Sequence, residues 1–66
     1  MSFLYLLLND GCDWDDMVLF LTESDAITAS IKHPQWRIEI FSKNNTVGYL
    51  PTYNYYQNGK LYNCNI

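Results

Sequence analysis

The chain has 66 residues, 48% of them hydrophobic and 17% aromatic, and four Lys and Arg against seven Asp and Glu give it a net charge of −3. At the usual ~100–200 residues per domain this is a single small domain, residues 1–66, with no room for a second folded unit or a repeat array. The apolar content excludes disorder, and the cations Lys32, Arg37, Lys43 and Lys60 are scattered singly, where binding to phosphates needs them clustered. Nucleic acid and anionic membrane are therefore not expected as partners.

The first apolar run, Phe3–Leu8, is hydrophobic on both alternating faces, which predicts a central strand covered on each side. It has neither the basic flank nor the small-residue cleavage site of a signal peptide, and no run approaches the ~20 apolar residues of a membrane span. A cytoplasmic location follows as the expectation. Cys12 and Cys64 then read as free thiols in a reducing compartment, with a bridge between them as the alternative. The Asn44-Asn45-Thr46 sequon reads as chance for the same reason. Asn9–Asp16 (NDGCDWDD) is a turn-rich acidic loop around Gly11, and Met17–Leu21 is a second short apolar strand.

One helix follows. Thr22-Glu23-Ser24-Asp25 has the form of a capping box, in which Thr22 accepts from the third backbone N–H and Asp25 reaches back. Ala26, Ile27, Ser30 and Ile31 recur at helical spacing, Lys32 and His33 fall in the last turn, and Pro34 ends the segment. About ten residues is too short to be helical in isolation, so the helix must lie on a sheet, through Ile27 and Ile31. Trp36–Ser42 alternates, with Trp36, Ile38 and Ile40 on one face and Arg37 and Glu39 on the other. Ser42–Gly48 is a loop or hairpin tip into Tyr49-Leu50, and Pro51 marks a bend or an edge. Asn58-Gly59 predicts a two-residue type I′ hairpin, because both turn positions need positive φ. Counting outward pairs Gln57 with Lys60, Tyr56 with Leu61 and Tyr55 with Tyr62. Tyr53, Tyr55 and Tyr62 then share one face, and Tyr56 and Leu61 the other.

The chemistry-bearing residues do not assemble into a reaction. Asp10, Asp13, Asp15 and Asp16 are oxygen ligands, but the loop does not match the calcium-loop pattern. They read as a solvated acidic loop. Cys12 lies beside Asp13, which disfavours a thiolate. His33 is the one histidine, and its place in the last helical turn is explained by the helix C-terminus. Gly11, Gly48 and Gly59 are isolated and form no phosphate loop. No catalytic residue, metal or cofactor is expected. Five of the eleven aromatics lie between Tyr49 and Tyr62, and an aromatic stripe low in charge resembles the core of an interface. Tyr53, Tyr55, Tyr56 and Tyr62 are the candidate contact residues.

The run Gly48-Tyr49-Leu50-Pro51-Thr52-Tyr53-Asn54-Tyr55-Tyr56-Gln57-Asn58-Gly59-Lys60-Leu61-Tyr62, preceded by Arg37-Ile38-Glu39-Ile40-Phe41, resembles short uncharacterised proteins of nucleocytoplasmic large DNA viruses. The resemblance runs from Tyr5 to Tyr62 and implies a virus-encoded protein in the host cytoplasm or the virion. It brings no site residues with it.

The expected fold is α+β: a small, mainly antiparallel sheet with one helix on one face, in the order ββαβββ. The expected function is a non-catalytic protein–protein interaction or structural protein, with a protein partner or a homo-oligomer. The alternative is an acidic inhibitor or regulator that mimics nucleic acid and presents Asp10, Asp13, Asp15 and Asp16 to a basic surface.

Overall fold

Phe3–Leu8 takes the interior position that its apolar run predicts, but among the described residues only one of its two faces is covered, not both as expected. A computed structural model describes residues 2–9, 11 and 13–63. Its elements are β1 (Phe3–Leu8), β2 (Val18–Phe20), α1 (Glu23–Lys32), β3 (Arg37–Asn44), β4 (Gly48–Gln57) and β5 (Lys60–Tyr62). The strands form one five-stranded sheet, β2-β1-β3-β4-β5, with each neighbouring pair antiparallel. This is the α+β fold and the chain order ββαβββ that the sequence implies. Between β1 and β2, Trp14–Asp16 makes a short 3-10 turn.

The core lies between α1 and one side of the sheet. Tyr5, Leu7, Ile38, Ile40 and Tyr56 are buried there with Ala26, and Phe20, Ile27, Ala29 and Trp36 pack against them. Thr22 is the N-cap, and its hydroxyl accepts from the Asp25 N–H at 3.3 Å. His33 closes the helix, its N–H donating to the Ala29 carbonyl at 3.0 Å. Glu23 does not serve the cap. The Tyr56 hydroxyl donates to its Oε2 at 2.5 Å, which ties the first turn of α1 to β4.

Of the predicted helix face, Ala26, Ile27 and Ser30 meet the core and Ile31 does not. Ile31 is 56% exposed, whereas Ser30 is fully buried. The Ser30 hydroxyl donates to the Ile27 carbonyl at 2.7 Å and accepts the Gly59 N–H at 2.9 Å. A backbone donor in the β4–β5 turn has to be satisfied, and a serine on the helix does this where isoleucine cannot. Trp36 packs against the core with Ile38 and Ile40 as expected, but outside the strand. It precedes β3 and stacks on His33, with ring centroids 4.5 Å apart.

Both hairpin turns follow from local chemistry. Asn44 Oδ1 accepts from the N–H groups of Thr46 and Val47, at 2.9 and 3.2 Å, so the strand runs to Asn44 and the turn is tighter than the predicted loop. Asn58 and Gly59 both have positive φ, 51° and 77°, and the register is Gln57–Lys60, Tyr56–Leu61, Tyr55–Tyr62 as predicted. β5 pairs only with Tyr55–Gln57. Pro51 therefore lies on a stretch of β4 with no outer neighbour among the described residues, where a missing N–H costs nothing.

The two ties between α1 and β4–β5 generate two expectations. Ser30→Ala leaves the part-buried Gly59 N–H without its acceptor and should cost about 0.5–1.5 kcal/mol, read from urea unfolding. An unchanged midpoint would show that the hydroxyl is dispensable. Burial, then the hydrogen bond to Glu23 and its charge, then Tyr5, push the Tyr56 hydroxyl up from its ordinary 10.0 to about 12. The folded chain thus keeps this phenol neutral where the unfolded chain ionises it. Its contribution is complete below pH 10 and is lost as pH rises through about 12. Tyr56→Phe should flatten the alkaline fall in urea midpoint across that window.

Candidate functional site

Side chains alternate across a strand, so the register assigns every residue of the sheet to a side. On the side away from α1, one cross-strand row passes through all five strands: Leu19, Leu6, Glu39, Tyr55 and Tyr62. Beside it lie Leu4 paired with Phe41 and Leu8 paired with Arg37. Leu19 is 53% and Tyr62 42% exposed. Among the described residues no helix covers this side.

The row is ordered by contacts within it. The Tyr55 and Tyr62 rings stack 5.2 Å apart at 11°. The Arg37 guanidinium sits 5.5 Å from the Tyr55 ring centroid, and its Nε lies 3.3 Å from Glu39 Oε2. An ion pair this exposed adds under about 1 kcal/mol to stability. Its consequence is positional, because it holds a cation over an aromatic ring on the open face. Leu8, Asn9, Gln35, Arg37, Tyr55 and Gln57 surround a depression of about 220 Å³ at that point.

The open face also carries cations toward both its ends, Arg37 and Lys43 lying six residues, roughly 20 Å, apart along β3. Arg37 and Lys43 share a side of β3 with Glu39 and Phe41, and Lys60 shares a side of β5 with Tyr62. The face carries three cations and one carboxylate, net +2, in a chain of net −3. The remainder of the chain is therefore at −5. Spacing along the chain hid this patch, because the three residues come from two strands that are not neighbours. The period-2 pattern of β3 together with the hairpin register was the signal that would have found it.

The four predicted contact tyrosines do not form one group. Tyr55 and Tyr62 lie on the open face. Tyr56 is on the opposite side, buried against Tyr5 and bonded to Glu23. Tyr53 belongs to neither row. Two extra residues of β4 accumulate between Tyr55 and Pro51, which oppose Glu39 and Phe41. In this bulge Tyr53 adopts φ 67° and is 67% exposed. The Thr52 hydroxyl holds the bulge, donating to the Ile40 carbonyl at 2.8 Å and accepting the Asn54 N–H at 3.1 Å. Thr52 and Asn54 also border a second cleft, of about 180 Å³, on the helix side beside Phe3, Glu23 and Leu61.

Of the acidic loop, Asp13, Asp15 and Asp16 are exposed around Trp14, itself 87% exposed. The turn closes on itself: Asp16 N–H donates to the Asp13 carbonyl at 3.0 Å, and Asp13 N–H to Asp16 Oδ2 at 3.3 Å. Asp10, Cys12 and Cys64 lie outside the described residues. Among the described residues there is no group of three or more His, Cys, Asp or Glu able to hold a metal ion, and no helix is long and apolar enough to cross a membrane. Comparison with protein-family models, curated proteins and solved structures finds no match.

A bulky residue at positive φ is strained by about 1–2 kcal/mol, and Tyr53 buries too little to offset it. Tyr53→Gly should therefore raise stability by about 1 kcal/mol in urea unfolding. A loss of stability would mean that the ring contributes packing that its exposure does not reveal.

Proposed function

We propose that this chain is a small, non-catalytic protein–protein interaction protein that docks through the open face of its sheet. The row Leu19–Leu6–Glu39–Tyr55–Tyr62 carries this reading. It offers apolar and aromatic surface on a side that no other described element covers, with the charged residues set among the rings. Large exposed apolar patches on a small domain mark contact sites, and stacked tyrosines are the type of side chain that anchors them. The molecule's larger extents, 33 and 28 Å, leave room for the roughly 800 Å² per partner of a standard interface. His33, the one histidine, closes the helix with its backbone N–H and stacks its ring on Trp36. The resemblance to viral proteins favours a virus-encoded structural or host-binding component, in the cytoplasm or the virion.

The exposed Tyr53, outside the open-face row, supports a contact role for the chain. Strain kept at an exposed position is found where a side chain is presented for contact. The acidic regulator remains the second reading, favoured by one observation, the exposure of Trp14 between Asp13, Asp15 and Asp16.

Sedimentation velocity at micromolar concentration tests the reading. Association, either with itself or with a partner purified alongside it, should be weakened at least about tenfold by Leu19→Lys or Tyr62→Ser. Both positions are exposed, so the fold should survive. A clean monomer that captures no partner, or association indifferent to both substitutions, would overturn it.

A further inference from the structure

The open face is positive and aromatic, and the rest of the chain is strongly negative. The most concentrated part of that negative charge is the turn Asp13–Asp16, which also presents the most exposed aromatic side chain among the described residues. From this charge complementarity we infer that the open face of one copy receives the Asp13–Asp16 turn of a second copy, with Trp14 as the anchor. The inference rests on the open face being the contact surface, and it names what covers it.

The fit is chemical at each point. Trp is the best ring for a cation, and Arg37 is already held over an aromatic ring at 5.5 Å. The depression beside Arg37 and Tyr55, about 220 Å³, is smaller than the roughly 300–1,000 Å³ of pockets for drug-sized ligands. It suits one large side chain. Asp13, Asp15 and Asp16 surround Trp14 in the chain, and Lys60 lies two positions from Tyr62 on the same side of β5. The turn is closed by its own hydrogen bonds, so presenting Trp14 carries little ordering cost. No described contact of this chain accounts for an indole 87% exposed.

Such a contact joins two different surfaces, so each copy keeps a vacant face at one end and a vacant turn at the other. Heterologous contacts of this kind make rings when the rotation closes and open chains when it does not. A face-to-face dimer is the competing arrangement. It would oppose two faces of net +2 and leave Trp14 uncovered.

Complementation separates the two arrangements. Trp14→Ser disables the turn and keeps the face; Lys60→Glu with Tyr55→Ser disables the face and keeps the turn. Each variant alone should sediment as a monomer, while the two mixed in equal amounts should form a one-to-one dimer that grows no further. The unmodified chain should build species beyond the dimer, and raised salt should disperse them. Should Tyr55→Ser weaken the fold, Lys60→Glu alone, at an exposed position, replaces the double variant and should lower affinity about tenfold. Association that survives Trp14→Ser unchanged would sink the inference while leaving the open face as the interface. Failure of the mixture to associate would also sink it. Binding of the Trp14→Ser variant to another acidic protein, with no self-association of the unmodified chain, would equally overturn the second copy as occupant.

Discussion

The Ser30 hydroxyl, buried between α1 and the β4–β5 turn, joins the two parts of this fold. It gives its proton to its own helix and takes one from Gly59, so helix position and turn geometry form a single constraint. Gly59 needs φ 77° for the turn. A Cβ there would also lie 3.0 Å from Ile31 Cγ1. At the other end of the helix, Glu23 takes the Tyr56 hydroxyl. A ten-residue helix has little stability of its own; fastened at both ends to the last hairpin, it covers part of one side of the sheet. The uncovered side is the consequence. No second helix lies over that side among the described residues.

What the sequence made legible was whatever depends on a few neighbouring residues. The Asn58-Gly59 turn dictates its own register, because positive φ at two consecutive positions admits few alternatives. Thr22 marks the start of α1 and Pro34 its end for similarly local reasons. The open face itself was foreseeable, since one short helix cannot cover a sheet built from so many apolar strands. The exposure of Ile31 was not. Hydrophobicity favoured Ile31 over Ser30, and only the Gly59 N–H, 29 residues away in the chain, makes the serine the better buried residue. The bulge at Tyr53 was hidden for the same reason. Tyr53-Asn54-Tyr55 alternates like any strand, and the two extra residues exist because Ile40 offers its carbonyl to Thr52. Tyr56 was placed on the correct side of the hairpin, yet grouped with the contact tyrosines because the coming of Glu23 to that side is a tertiary event.

The cationic patch shows how charge can be visible in composition and invisible in arrangement. Arg37 and Lys43 are six positions apart in the sequence, an even interval, so they emerge on one side of β3. Lys60 joins them through the hairpin register. A net charge of −3 therefore describes no part of the surface. It is the sum of a positive sheet face and a much more negative remainder, and the positive part coincides with the apolar row of Leu19, Leu6, Tyr55 and Tyr62.

That coincidence bears on how an uncovered sheet stays in solution. Apolar faces of identical chains attract each other in any orientation, since the hydrophobic effect has no direction. Like charges set among the leucines and tyrosines remove the face-to-face orientation selectively, because opposing cations brought into contact lose water and repel at short range. Screening confines this to contact distances, the Debye length being about 8 Å at physiological ionic strength. The penalty therefore falls only on the arrangement that buries both faces together. A negatively charged turn incurs no such penalty on the same surface. An open face edged with Arg37, Lys43 and Lys60 is thus less a general adhesive than a selective one. Its apolar row provides the attraction, and its cations decide which surface is allowed to use it.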